Sequence, residues 1–219
     1  PGENGPPTVP TNDKLLNTGT NANKPVVYPV VIVDVNGVKC RALIDTGAGS
    51  SYASSKLLDT IKAQPKKKEI RRVEMLFGTS TKLVGIYNLR LNDISNKFHI
   101  ETEVTRVERS DLLTLDNPKY KEIIANYSHL DGIIMQDEDE KERLPVHLIL
   151  GAGDYSKIKT ASKPRVGSPG EPVAELTKFG WTIMSPGEEV NLNNMLLTQV
   201  HRDDYEQLCR LDVLGLHDS

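Results

Sequence analysis

Four consecutive residues, Asp45-Thr46-Gly47-Ala48, carry the most telling chemistry in this 219-residue chain. A peptide bond can be cut without a covalent intermediate when a carboxylate activates water and an acid protonates the leaving group. Two carboxylates about 3 Å apart do both jobs, because like charges that close cannot both ionise and the pair holds one shared proton. The neighbours of Asp45 suit such a pair. Gly47 lets the backbone turn tightly and leaves room for a facing loop. The Thr46 hydroxyl can bond backbone across the pair and lock the loop. Asp and Gly are also common turn residues, so the tripeptide by itself reads more readily as a turn. Its setting favours chemistry. It follows Leu43-Ile44 at the end of an apolar strand and precedes Ala48 and then Gly49-Ser50-Ser51, a stretch like a helix N-cap.

The chain has no second Asp-Thr-Gly or Asp-Ser-Gly. Asp131-Gly132 lacks the hydroxyl residue and is better explained as a turn. One such carboxylate per chain therefore demands two chains, and closure about a two-fold axis would set Asp45 against its own copy. His99, His129, His147, His201 and His217 are scattered, with no nearby Ser or Cys elbow motif, and read as structural or surface groups. Cys40 and Cys209 form neither a disulfide framework nor a zinc pattern, which points to a reducing, intracellular setting. The acidic run at 136–143 lacks calcium-loop spacing and reads as a solvated loop. No metal or organic cofactor is expected.

A net charge of −3 and a pI near 6.0 leave no footprint for nucleic acid or an anionic membrane. The one basic cluster, Lys66–Lys68 with Arg71 and Arg72, reads as a loop or strand edge. No apolar stretch approaches the roughly 20 residues of a membrane span. No targeting leader follows Pro1, and a chain beginning at Pro reads as a piece of something longer.

The elements that must position Asp45 are mostly strands. Residues 1–25 are rich in Pro, Gly, Asn and Thr and read as a flexible linker. From Val26 a β-branched run leads to Asn36-Gly37, the strongest short-range hairpin signal, and the returning strand alternates Lys39 and Arg41 with Cys40, Ala42 and Ile44. A second hairpin is expected over residues 71–91, turning at Gly78-Thr79-Ser80, with another strand in 97–107. Residues 116–127 carry helix signals, with Asp116 as N-cap and Ile123, Ile124 and Tyr127 on one face. An apolar run at 146–153 precedes a short helix, and a last strand pair lies around Gly180-Trp181, with Trp181 in core or interface. Residues 188–219 lie outside the β pattern and include an amphipathic helical stretch. The expected division is linker 1–25, body 26–187 and C-terminal connection 188–219.

The stretch ALIDTGAGSSYAS resembles the active-site strand and loop of the retropepsins, a family of aspartic proteases. MLFGTSTKLVGIYNLRL is similar to their flap hairpin, and LILG at 148–151 to their closing strand before a helix. HLILGAGDYSKI and GEPVAELTKFGWTIMSPG look closer still to the protease region of BEL/Pao-type retrotransposon polyproteins, and the tail to their connection towards reverse transcriptase. Two departures are an extra Gly in Gly-Ala-Gly-Asp-Tyr and an apparent insertion at 108–143. The resemblance implies a closed, mostly antiparallel β-barrel with one or two short helices and an active site at a homodimer interface. It implies an endopeptidase that acts on a polyprotein including its own flanks, in cytoplasm or virus-like particles. Asp45 would be catalytic, Thr46, Gly47 and Ala48 would shape the loop and bind substrate backbone, and Gly78, Thr79, Ser80 and Thr81 would form the flap tip. The main rival reading is a captured, catalytically silent dimeric module that binds peptides or serves as a scaffold, and a second is a cytosolic retropepsin-like protease acting on ubiquitin-linked substrates.

Overall fold

A computed structural model of the chain describes residues 26–75 and 78–187. The expected linker at 1–25 and the C-terminal helix lie outside the described residues. Strands β1 (Val30–Val35) and β2 (Val38–Ile44) form the expected hairpin. Asn36 and Gly37 have φ of 53° and 82°, the paired positive values a type I′ turn needs. The Gly37 N–H also donates to Asp34 Oδ1 at 3.0 Å. After the Asp45 loop come β3 (Ser51–Ser54) and a one-and-a-half-turn helix α1 (Ser55–Thr60). The N-cap is Ser54, whose Oγ accepts from Leu57 N–H. The Gly49-Ser50-Ser51 stretch read as a cap instead leads into a strand, because Ser51 pairs with Val104.

The long hairpin β4 (Lys67–Met75) and β5 (Gly78–Asn92) is followed by β6 (His99–Val107). Then come β7 (Leu113–Asp116), α2 (Tyr120–Asn126), a 3-10 turn (Ser128–Leu130), β8 (Arg143–Val146) and β9 (Leu148–Leu150). Helix α3 (Ala152–Ile158) leads to β10 (Arg165–Val166), β11 (Val173–Thr177) and β12 (Gly180–Met184).

The main sheet runs β1-β2-β9-β3-β6-β5-β4, and β5 returns to β1 through Asp34↔Asn92. Six strands thus form a ring, with β4 outside it on β5. Two seams, β2–β9 and β3–β6, are parallel, and the other ring pairings are antiparallel. Parallel neighbours need long crossovers, which the chain segments between these strands supply. The ring encloses Val33, Val35, Ala42, Ile44, Leu91, Val104, Leu148 and Leu150, all nearly inaccessible. Burying them out of water is the main term holding the ring together.

The 108–143 segment is not a loose excursion. α2, the 3-10 turn and the C-terminal hairpin β11–β12 share a second cluster, in which Leu130 and Ile183 are wholly buried. Helix α2 begins three residues later than Asp116 as N-cap suggested, with Lys119 at the N-cap position. Asp116 is instead held at the end of β7, opposite Arg143, and Lys119 takes a left-handed φ of 52° at the helix start. Ile123, Ile124 and Tyr127 pack on this cluster as their spacing implied.

The acidic run departs most from its reading as a solvated loop. Arg41 on β2 reaches out to Asp137, Nε to Oδ2 at 2.6 Å and Nη2 to Oδ1 at 2.8 Å, and to Asp139 at 3.0 Å. The Arg41 and Asp137 side chains are only 11% and 9% exposed. Asn117 fastens the same loop by donating to the carbonyls of Asp139 and Lys141. Burial works against the Arg41 charge, but its hydrogen bonds and attraction to Asp137 and Asp139 outweigh that and raise its pKa. A buried guanidinium needs such partners, and the acidic loop is the segment that supplies them. Replacing Arg41 by Met would strand Asp137 in the interior. The expected cost is about 3–5 kcal/mol of stability by denaturant titration. A loss of a few tenths, as for exposed pairs, would mean that this contact is solvated.

The basic cluster lies on edge strand β4 and beside it, and three of its members are paired with carboxylates. Lys66 pairs with Glu103, and Lys67 and Arg71 with Glu69. Cys40 is buried, and burial, ahead of the Asp34 charge, pushes its thiol up to about 12. No helix among the described residues is long and apolar enough to cross a membrane.

Candidate active site

Asp45 follows directly on the last residue of β2. Its N–H donates to the Leu150 carbonyl at 2.9 Å, so the ladder with β9 continues one step past the strand end. The chain then turns. Ala48 N–H bonds back to the Asp45 carbonyl at 3.1 Å, and Gly47 N–H donates to Asp45 Oδ1 at 3.0 Å. These bonds aim the carboxyl group, and a Cβ added at Gly47 would stand 3.3 Å from the same oxygen. Thr46 and Gly47 are exposed, while Asp45 and Ala48 are partly covered. The four residues singled out from the sequence therefore form one turn at the end of one strand.

Behind the turn lies a second loop that sequence reasoning had noted only as a closing strand. Gly151, after β9, packs where no side chain fits. A Cβ there would stand 2.7 Å from the Ala48 carbonyl oxygen and 2.8 Å from that of Ser50. Ala152 N–H meets the same Ala48 carbonyl at 3.0 Å. Gly151 N–H donates to Ser51 Oγ at 3.0 Å, and Ser51 Oγ donates to Asp154 Oδ2 at 2.5 Å. Asp154, 6% exposed, also accepts from the Thr102 hydroxyl and pairs with Lys157 at 2.7 Å. A charged acceptor satisfied by two hydroxyls and an ammonium is a strong, directional tie. It clamps the turn to α3 and β6. The sequence signal was the Gly-Ala-Gly-Asp-Tyr run itself, with Ser51 a hundred residues upstream. The glycine counted there as extra, Gly153, would meet nothing with a Cβ added.

An open hollow of about 280 Å³ lies beside the turn, lined by Gly49, Ser50, Arg71, Glu103 and Lys157 among others. Arg71 of β4 spans it, bonding Thr105 at 2.7 Å and reaching Ser50 Oγ at 3.5 Å. Arg71 thus ties β4 to the residues that follow Asp45. Gly78, Thr79, Ser80 and Thr81, expected at its tip, are placed in the ladder at the start of β5, opposite Met75, Glu74, Val73 and Arg72. Residues 76–77, between the two strands, lie outside the described residues. The turn expected at Gly78-Thr79-Ser80 is not there, because reading glycine as the turn residue misplaced it and Gly78 is paired with Met75.

His147 bonds Ser54 at 3.0 Å, and that serine is wholly buried as the α1 cap. Desolvation lowers the pKa of His147. The pair holds β9 to α1, and no water-accessible hydroxyl is offered to it. Asp131 and Gly132 sit in a turn after the 3-10 segment, with Gly132 at φ 76°. Trp181 is half-buried beneath the Arg165 guanidinium, 4.9 Å from its ring. No group of three or more His, Cys, Asp or Glu among the described residues is placed to hold a metal ion.

An acidic group thus sits on a tightly bonded turn at the end of a ring-forming strand. Residues 31–108 match the family model described as aspartyl protease, a span that includes β1, the Asp45 turn and the β4–β5 hairpin. Over that span the chain resembles the aspartyl proteases. Among solved structures, a retropepsin-like aspartic protease from Rickettsia conorii is similar at 10% identity and TM-score 0.35, over 74% of this chain and 89% of that one. The retroviral protease-like domain of Ddi1 from Leishmania major is similar at 11% identity and TM-score 0.32, over 69% and 90%. The foamy viral protease-reverse transcriptase is similar at 16% identity and TM-score 0.35, over 65% of this chain, which spans 13% of that protein. No curated protein matches the sequence.

Proposed function

We propose that the chain is an aspartic endopeptidase, active as a homodimer in which the Asp45 carboxylates of two copies face each other. The observation that carries this reading is the Asp45 turn, with its carboxyl group aimed by the Gly47 N–H and its backbone tied to β9. In the dimer one carboxylate takes a proton from water as the water attacks the scissile carbonyl, and the other gives a proton to the departing nitrogen. Thr46 stands exposed where it can bond across the pair, and Gly47 and Ala48 offer backbone to the substrate chain. The hairpin of β4 and β5, with Gly78, Thr79, Ser80 and Thr81 near its tip, acts as the flap that covers the substrate and excludes water.

The substrate is a polypeptide. The BEL/Pao-like segments around 147–158 and 170–187 support a retrotransposon polyprotein, including the flanks of this domain at 1–25 and 188–219. The body then stands between a linker and a connection to a further domain. No nucleic acid or membrane contact is assigned to it.

The dimer has a kinetic consequence. Specific activity on a peptide substrate is expected to rise with protein concentration and reach a plateau as monomers associate. Constant specific activity across dilution, in a sample that is monomeric by mass, would contradict the shared site.

A further inference from the structure

Ser54 is wholly buried, and its hydroxyl has two tasks. Its Oγ accepts from Leu57 N–H at 3.2 Å as the cap of α1, and it meets His147 Nδ1 at 3.0 Å. A hydroxyl has one proton to give. Among the described residues the ring nitrogen is the acceptor placed for that proton, so Ser54 donates and Nδ1 is bare. The tautomer is assigned from these bonds. A protonated ring would turn Nδ1 into a donor and leave the buried hydroxyl proton without a partner, a costly state away from water.

The surroundings of the ring lean the same way. Burial is the largest influence and lowers the His147 pKa, and Lys56 on α1 and Arg41 on β2 add to it. Asp111 and the Ser110 backbone, at the start of the 108–143 segment, oppose the shift without reversing it. Asp111 is itself faced by Arg109, and Arg41 is engaged by Asp137 and Asp139. The ring is only partly covered, so protons can reach it.

His147 also stands at a joint. Its N–H donates to the Arg41 carbonyl at 3.2 Å, and its own carbonyl accepts from Ser54 N–H at 3.0 Å. The residue thus bridges β2 and β3 one step before β9. Beside it, Ser55 N–H and Oγ both donate to the Arg109 carbonyl, at 3.0 and 2.8 Å, which fastens α1 to the chain leaving β6. At the far end of β9 the Leu150 carbonyl accepts from Asp45 N–H. Only the strand Leu148–Leu150 separates the joint from the Asp45 turn.

We propose that the His147–Ser54 pair is an acid-sensitive latch behind the Asp45 turn. A proton on the ring opens the pair and loosens the α1 cap and β9, so the arrangement around Asp45 holds near neutral pH and gives way in acid. The latch goes beyond the endopeptidase reading and needs no substrate to be seen. As pH falls, the ordinary imidazole of the unfolded chain takes up its proton before the folded one does. The stability the latch contributes is therefore complete above about pH 6.5 and is lost as pH falls through the folded value. Carboxylates held below their usual range, such as Asp93 and Asp139, give up theirs only at about pH 4 and below.

The test is the denaturant midpoint of the full chain between pH 8 and pH 5, for wild type and His147→Asn. Asparagine does not titrate, and its amide oxygen can accept from Ser54. Relative to the variant, wild type is expected to lose up to about tenfold in its folding equilibrium for each pH unit below 6.5, until the folded value is passed. Equal acid loss in the two proteins overturns the latch. If His147→Asn does not fold, NMR titration of the His147 ring in wild type decides. A midpoint below about 6.5 supports the latch, and one at or above it overturns the latch. A chain that shows the acid loss and cleaves no peptide keeps the latch and drops the protease reading.

Discussion

Asp45→Asn is expected to abolish peptide cleavage while leaving the fold intact. The side chain is partly exposed and accepts a hydrogen bond from Gly47 N–H, which an amide oxygen accepts equally well. Its backbone N–H bond to Leu150 is untouched by the change. The turn therefore keeps its shape and stability changes by little, as for surface substitutions generally. Catalysis loses the group that takes and returns the proton, a loss of about 10²–10⁴-fold for general acid–base action alone. Both carboxylates of the pair are lost together in the mutant homodimer, so the combined loss lies at or beyond the upper end of that range. Assay of the purified, folded variant is the check, and wild-type turnover by it would remove Asp45 from the chemistry.

Gly151→Ala is expected to damage activity more than stability. The new methyl group would stand 2.7 Å from one loop carbonyl and 2.8 Å from another, both backbone oxygens with no rotamer to escape into. The clash must push the Asp45 turn away from β9 or move α3. Inserting one methyl group into a packed site costs about 1–3 kcal/mol. A displacement of about 1 Å at the reacting groups can lower turnover about 100-fold. The measurement is kcat beside a melting curve. Near wild-type kcat in a folded Gly151→Ala protein would mean that the Ala48 and Ser50 carbonyls move without consequence for Asp45. Gly153→Ala is the control, since a Cβ there meets nothing.

Local signals in the sequence read correctly because local bonds enforce them. Asn36-Gly37 is a two-residue turn by its own φ preferences, and β2 ends at Ile44, where its apolar run gives way to Asp45. The closing strand and helix after it were equally legible from LILG and the polar run that follows. Closure of the ring was expected only through the family resemblance, and two parallel seams within it were not expected. The contacts that fix the site's surroundings join residues a hundred positions apart, Ser51 with Asp154 and Arg41 with Asp137. Nothing in the spacing of an acidic run tells that one of its members is to be buried against an arginine on β2. The same limit misplaced the start of α2, where β7 pairing with β8 claims Asp116. Gly78 misled for a different reason, since the ladder takes it as a paired strand residue.

The proposed chemistry requires two copies of Asp45 to form one site. Titrating wild-type protein with increasing Asp45→Asn, under conditions where subunits exchange, measures this directly. At equal affinity, the active fraction of wild-type subunits is expected to fall as their share of the mixture, because each heterodimer lacks one carboxyl acid. Activity that stays proportional to the wild-type protein present, however much Asp45→Asn is added, would contradict the shared site.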